Sequence, residues 1–274
     1  MRTRTIVWLT LALALTTAYP ASGGAGERSS PPSLVLKHPQ PEAALAARVD
    51  WALSRASERG FEKGFWAGYS IRIQMGEHSS IGHMNWPRDP AERSLAEVLA
   101  GRTVITPPMS AEASIREAAR QALEEGSRAR LPEKTSEKDL AILVRYSGGR
   151  EPRPAEIVLS NLDLPVSFEA LPLVWLGPAG EPDSLAQLKA LYGRSADAGF
   201  KEDTIFAFAC HKIEAATDFL IGEARGPNTA KIRQAAVEGL AEKASRRISR
   251  SADPWRICAT VRGAAASSGG SGRG

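Results

Sequence analysis

The chain lacks an apolar stretch long enough to cross a membrane, which argues against a permanent membrane span. Its long apolar run, from about Ile6 to Ala18, is shorter than the roughly 20 residues that a helix needs to cross a bilayer core. Arg2 and Arg4 precede this run, and small residues follow it. This plan predicts a cleaved signal peptide over residues 1–23 and a periplasmic or secreted mature protein. The alternative is an uncleaved anchor or a buried apolar helix.

Cysteine is scarce, because Cys210 and Cys258 are the only two in the chain. In an oxidising compartment the pair can persist as a disulfide, which would stabilise the fold by roughly 2–4 kcal/mol. The other interpretation is two buried thiols that pack as small hydrophobic side chains, since Cys210 lies in the apolar run IFAFAC. The sequence leaves both interpretations open.

Catalytic motifs are also missing: there is no nucleophile elbow, phosphate loop, H-E-x-x-H or C-x-x-C pattern. An enzymatic activity is therefore unsupported, and we expect no cofactor. The richest cluster of titratable groups is EHSSIGHMNW, which contains His78 and His83. Their spacing is one residue longer than the pair that a helix presents to zinc. A polar surface loop is the default, and a metal site in an exported hydrolase is the alternative.

A broad basic surface is lacking as well, although the sequence pI is about 9.2. Arg2, Arg4, Arg262 and Arg273 lie in the terminal segments, which leaves the middle of the chain near neutral. A nucleic-acid-binding domain usually presents a clearly basic face. We therefore expect no nucleic-acid partner, and we attribute the basic cluster between residues 246 and 256 to a charged terminal helix.

The first half of the chain predicts a helix followed by a strand. Residues 24–40 are rich in Gly, Ser and Pro and indicate a flexible leader. The segment 41–60 has apolar residues at helical spacing and ends in Gly60. In GFWAGYSIRIQM, apolar and polar or small residues then alternate as in a strand with one buried face. Its aromatic residues either belong to the core or accept a peptide by edge addition, and this makes Phe65, Trp66 and Tyr69 candidate binding residues.

The rest of this half predicts a small antiparallel sheet. Residues 76–110 are irregular, whereas residues 114–126 have the composition of a helix. Two β-rich runs at 139–148 and 155–164 indicate a hairpin that pairs with the earlier strand. PVSFEALPLVWLGPAG is interpreted as a packed connector. Together these segments predict an α+β domain over residues 41–180.

After Gly180 the pattern consists of helices alone. Four amphipathic helices follow, separated by short turns, and FKEDTIFAFA aligns with IRQAAVEGLA with apolar positions in register. With SNLDLPVSFEALPLVWLG and LKALYGRSADAGFKEDTIFAFACH, these segments resemble bacterial exported proteins that carry HEAT-like helical repeats after an α+β region. We expect HEAT-like repeats over 181–250 and a disordered tail within residues 251–274.

The resemblance to HEAT-repeat proteins implies a non-enzymatic scaffold or binding protein whose helix pairs present a surface to another envelope protein. An exported hydrolase or metal-dependent enzyme that uses His78 and His83 is the alternative. A third interpretation makes the helices a cap for the α+β core.

Overall fold

The fold is seen in a computed structural model, which describes residues 30–77, 79–82, 93–101 and 135–250, with side chains through residue 244. These residues form five strands: β1 Val35–Lys37, β2 Phe65–Gly76, β3 Thr135–Tyr146, β4 Pro154–Asn161 and β5 Leu173–Pro178. They also form six helices: α1 Leu45–Arg59, α2 Leu95–Ala100, α3 Glu181–Arg194, α4 Ala198–Cys210, α5 Glu214–Arg225 and α6 Ala230–Arg250. Four helices follow the sheet, and the α+β class predicted from the sequence is confirmed.

The five strands form one mixed sheet in the order β1-β5-β2-β3-β4. The predicted hairpin is confirmed, because β4 pairs antiparallel with β3, and β3 pairs antiparallel with β2. The other two pairs, β2 with β5 and β5 with β1, are parallel. The expectation of a purely antiparallel sheet is therefore wrong.

The strands β1 and β5 lie in segments whose sequence indicates irregular structure. β5 lies in the expected connector, where Leu173, Val174 and Leu176 are buried between β1 and β2. A fully buried parallel strand shows a continuous apolar run in place of an alternation, so its period gave no strand signal. β1 lies in the expected leader and is only three residues long.

Both faces of the sheet are covered over the first half of β2. Phe65, Tyr69 and Ile71 belong to the larger core, which they share with residues of α1 and of all four C-terminal helices. Trp66 points to the opposite face, where it packs with Leu95 of α2 and with other buried residues. The prediction of a single buried face therefore fails here and is correct from Arg72 onward, since Arg72 is exposed.

The predicted first helix is confirmed as α1. Leu45, Val49, Ala52 and Ala56 form its buried stripe. The helix ends at Gly60, whose φ of 65° is a left-handed conformation that glycine adopts without a steric cost.

The four C-terminal helices occur where the sequence predicts them. Asp197 caps α4 by accepting a hydrogen bond from the backbone N–H of Phe200 at 2.7 Å. α4 is the central helix of the layer, because it packs against α3, α5, α6 and β4. Leu188 of α3 and Phe208 of α4 lie in the same core as β2, so the helices and the sheet share one hydrophobic core. The helix predicted at 114–126 lies outside the described residues.

Candidate functional site

The aromatic residues proposed for peptide binding lie in the core. Phe65, Trp66 and Tyr69 are at most 2% exposed. At these residues β2 is also paired on both edges, because β3 pairs with its whole length and β5 pairs with it from Trp66 to Ser70. A peptide cannot add to a strand that has no open edge. The three residues are therefore packing residues, and the binding interpretation is wrong.

The candidate metal ligands, His78 and His83, lie outside the described residues, as does Cys258. Cys210 is buried at the end of α4. In the described part of the chain, no group of three or more His, Cys, Asp or Glu side chains is placed to hold a metal ion. None of the described helices is long and apolar enough to cross a membrane.

A buried polar network that the sequence did not reveal joins the sheet to the helices at Ser184. Its hydroxyl oxygen lies 2.8 Å from Nε2 of His211 and 3.0 Å from the hydroxyl of Tyr69. The other ring nitrogen of His211, Nδ1, is 2.9 Å from the carbonyl oxygen of Ala207. Ser184 is on α3, His211 follows α4, and Tyr69 is on β2. The network therefore ties three elements together in the middle of the core.

The hydrogen bonds assign the proton positions in this network. A carbonyl oxygen can only accept, so Nδ1 of His211 donates to Ala207. In the neutral ring Nε2 then accepts from Ser184, whose oxygen in turn accepts from the hydroxyl of Tyr69. Burial lowers the pKa of His211, which keeps the ring neutral, and burial likewise raises the pKa of Tyr69. Each of these donors and acceptors is therefore paired, and none of the three side chains carries a charge.

The Ser184 and His211 pair has the spacing of a nucleophile and its base, but it is sealed. Ser184 is 0% and His211 is 1% exposed, so a substrate carbonyl cannot reach the hydroxyl in this conformation. The charged side chains near the pair form hydrogen bonds with backbone groups. The carboxylate of Glu181 accepts from the N–H of Lys212 at 2.7 Å, and the ammonium of Lys243 donates to the carbonyl oxygen of His211. The network is structural.

A cavity of about 540 Å³ opens between β1 and α2. Its walls are apolar except for Lys37 and Arg93; the other lining residues are Pro32, Val35, Val98, Leu99, Ala100 and Gly101. This volume is in the range of small-molecule pockets. Among the described residues that line it there is no carboxylate, imidazole, hydroxyl or thiol, and the amine of Lys37 is the one group that belongs to the usual nucleophiles and bases.

Two large apolar side chains are exposed on the helical layer. Phe206 of α4 is 41% exposed, and Val237 of α6 is 56% exposed. In the described part of the chain, all other large hydrophobic side chains are at least partly buried. Sequence reasoning missed Phe206, because the run IFAFAC is apolar on every side and its pattern does not show which residue faces solvent.

The two exposed residues lie at similar heights on neighbouring helices. A Cβ built on Gly239 of α6 would lie 3.3 Å from the Cβ of Ala209 of α4, and the bond from Lys243 to His211 lies further along both helices. α4 and α6 therefore run side by side in the same direction. Val237 and Phe206 precede this contact by similar numbers of residues, so their heights differ by about 2 Å, and Val237, about 200° around α6 from Gly239, points away from α4. We call Phe206 and Val237 the helical patch.

Acidic side chains lie one turn from Phe206 on α4. The pKa of Asp203 is raised to about 6, first because its carboxyl group is partly removed from water. The negative charges of nearby carboxylates raise it further, those of Glu202, Glu156 and Asp197. The residue itself remains solvent-accessible, so salt should weaken this repulsion. The helical patch thus has an acidic border at the beginning of α4.

No protein-family model, curated protein or solved structure matches this chain. The fold and the geometry of its side chains therefore carry the functional argument.

Proposed function

We propose that the protein is an exported, non-enzymatic scaffold that binds another envelope protein through its C-terminal helices. The proposal of export is based on the N-terminal sequence, in which Arg2 and Arg4 precede a short apolar run. The binding role is supported by the exposed helical patch. In the described residues no group of three or more His, Cys, Asp or Glu side chains is placed to hold a metal ion, and the Ser184 and His211 pair is buried.

The arrangement of the helices is compatible with a short HEAT-like array. α3 with α4 and α5 with α6 are two consecutive helix pairs, and both α4 and α5 pack extensively against α6. Solenoids usually need at least three repeats, because each repeat covers the apolar face of its neighbour. Here the sheet covers one end of the array, since α4 packs on β4 and shares the larger core with β2.

The single observation that carries the proposal is the pair of exposed apolar side chains on α4 and α6. Large apolar side chains that stay exposed on two neighbouring helices offer apolar surface for a partner to cover. A large aromatic side chain such as Phe206 is also a suitable anchor for a partner. Because Glu202 and Asp203 border Phe206, the partner segment should combine an apolar residue with Lys or Arg.

Affinity capture of partner proteins from the cross-linked envelope of the source organism tests this proposal. The proteins recovered with the unsubstituted chain are compared with those recovered with its variants. The double variant Phe206→Ser with Val237→Ser should lose a protein that the unsubstituted chain recovers, by about tenfold or more. The matched control is Arg225→Ser with Lys231→Ser, which changes exposed residues on α5 and α6 away from the patch. Equal recovery of every protein with all three chains would contradict the proposal.

A further inference from the structure

Side chains from two other helices hold the turn between α4 and α5, which consists of residues 211–213. The backbone N–H groups of Lys212 and Ile213 donate to the carboxylate of Glu181 on α3, at 2.7 and 3.2 Å. The ammonium of Lys243 on α6 donates to the carbonyl oxygen of His211. Opening this turn therefore breaks contacts to side chains and leaves the hydrogen bonds within each helix in place.

The ring of His211 is the titratable group at the centre of this turn, and it is 1% exposed. Burial has the largest effect on the ring and lowers its pKa. Two charged side chains face it: Glu181 of α3 favours a proton on the ring, and Lys243 of α6 opposes it. On the side of the sheet, Tyr69 of β2 reaches the ring through the hydroxyl of Ser184. Burial raises the pKa of Tyr69 and keeps its hydroxyl neutral.

The hydrogen bonds of the closed turn fit a neutral ring. The hydroxyls of Ser184 and Tyr69 then supply one hydrogen to each of the two contacts, at 2.8 Å and 3.0 Å. A charged ring adds a third hydrogen, on Nε2. One of the three hydrogens then has no acceptor among the described residues. A buried donor without an acceptor is unfavourable, and so is a buried charge. The closed turn therefore excludes the proton.

We propose that residues 211–213 form a pH-sensitive latch, which is closed on the neutral ring of His211 and opens when the ring takes up a proton. Opening brings the charged ring into water and detaches the turn from Glu181 and Lys243. An accessible histidine takes up a proton near pH 6.5, so the open form gains up to about tenfold per pH unit below that value. The latch does not involve the helical patch, and this inference is independent of the proposed function.

Amide hydrogen exchange in the full chain, measured by NMR, tests the latch. Protection is expressed relative to the intrinsic exchange rate at each pH. Between pH 7.5 and pH 5.5 the N–H groups of Lys212 and Ile213 should lose protection by up to about tenfold, because the open form binds the proton. The N–H of Leu143 in β3 reports unfolding of the whole chain and should be better protected at both pH values.

Urea separates opening of the latch from unfolding of the chain. A local opening exposes little surface, so about 1 M urea should leave the protection of Lys212 and Ile213 nearly unchanged. The same urea should lower the protection of Leu143, because unfolding of the chain exposes the core.

Two histidine variants assign the effect to one ring. His211→Gln should abolish the fall in protection between the two pH values, because glutamine does not titrate. His38→Gln is the matched control, since the ring of His38 contacts Gln40 outside the network, and it should leave the fall unchanged. The unsubstituted chain provides a readout that does not depend on how the variants fold. The nitrogen signals of the His211 ring should show the neutral form, with the proton on Nδ1, at every pH at which the latch amides stay protected.

Four results would overturn the proposal. Protection of Lys212 and Ile213 that is equal at both pH values would show that no proton opens the turn. A fall that persists in His211→Gln would assign the opening to another group, such as the carboxylate of Glu181. Protection and urea response equal to those of Leu143 would show that the turn opens only when the chain unfolds. A charged ring in a turn that stays protected would show that the closed turn accepts the proton.

Discussion

The hydroxyl oxygen of Ser184 lies 2.8 Å from Nε2 of His211, and neither side chain is accessible to solvent. This contact joins α3 to the turn after α4, and through Tyr69 it reaches the central strand β2. Because the helical patch depends on how the helices sit on the sheet, this network fixes the position of the proposed binding surface.

Ser184→Ala should destabilise the fold by about 2 kcal/mol or more. The change leaves two buried polar groups unsatisfied, the hydroxyl of Tyr69 and Nε2 of His211, and each such group costs about 1–3 kcal/mol. Urea unfolding followed by circular dichroism measures the difference. Ser54→Ala, at an exposed position of α1, is the control and should change stability by less than about 0.5 kcal/mol. Equal effects of the two substitutions would show that the network contributes nothing.

His211 should make the protein less stable as the pH falls. Burial lowers its pKa in the folded state below the usual 6.5, so below that value the unfolded chain binds a proton that the folded chain excludes. The free energy of unfolding should then fall by up to about 1.4 kcal/mol per pH unit between pH 6.5 and the folded pKa. His211→Gln should remove this slope while lowering stability at pH 7.5. An unchanged slope in the variant would contradict the neutral assignment.

Asp203 should have the opposite effect. Its folded pKa of about 6 is above the ordinary aspartate value of 3.8, so the folded state holds its proton more tightly, and stability falls as the pH rises from about 4 to 6. Asp203→Asn should be more stable than the unsubstituted chain at pH 7.5, with a smaller gain in 0.5 M salt. The two chains should be equally stable at pH 3.5. Thermal unfolding at these pH values tests the prediction, and a loss of stability at pH 7.5 would refute it.

Export predicts a specific new N-terminus. If residues 1–23 are a signal peptide, the protein recovered from the envelope or the medium of the source organism should begin at Gly24 or within a few residues of it. N-terminal sequencing of the recovered protein checks this. A chain that retains Arg2 and Arg4 in the cytoplasmic fraction would show that it is not exported.

The sequence predicted those helices and strands in which apolar residues recur at a regular spacing and turn-forming residues mark the ends. α1 has a single apolar stripe and a stop at Gly60, and the hairpin of β3 and β4 has two β-rich runs around a turn. β5 was missed because a strand that is buried on both faces has no alternation. β1 was missed because a three-residue strand is too short to show a period.

The candidate site was harder to predict than the fold. Ser184, His211 and Tyr69 are far apart in sequence, and only the packing of α3 and α4 on β2 brings them together. Phe206 lies in an all-apolar run, so its exposure depends on which neighbours surround α4. The aromatic residues of β2 gave a false signal, because tertiary pairing on both edges of the strand decides whether such residues are accessible.

Site-specific photo-cross-linking tests the central claim most directly. A benzoylphenylalanine at position 206 or 237 of the chain, expressed in the source organism, should form an adduct with the same envelope protein from both positions. The same group at the exposed position 55 of α1 should not form that adduct. Adducts from neither position 206 nor 237, or adducts only with a second copy of the chain, would contradict a binding surface for another protein on α4 and α6.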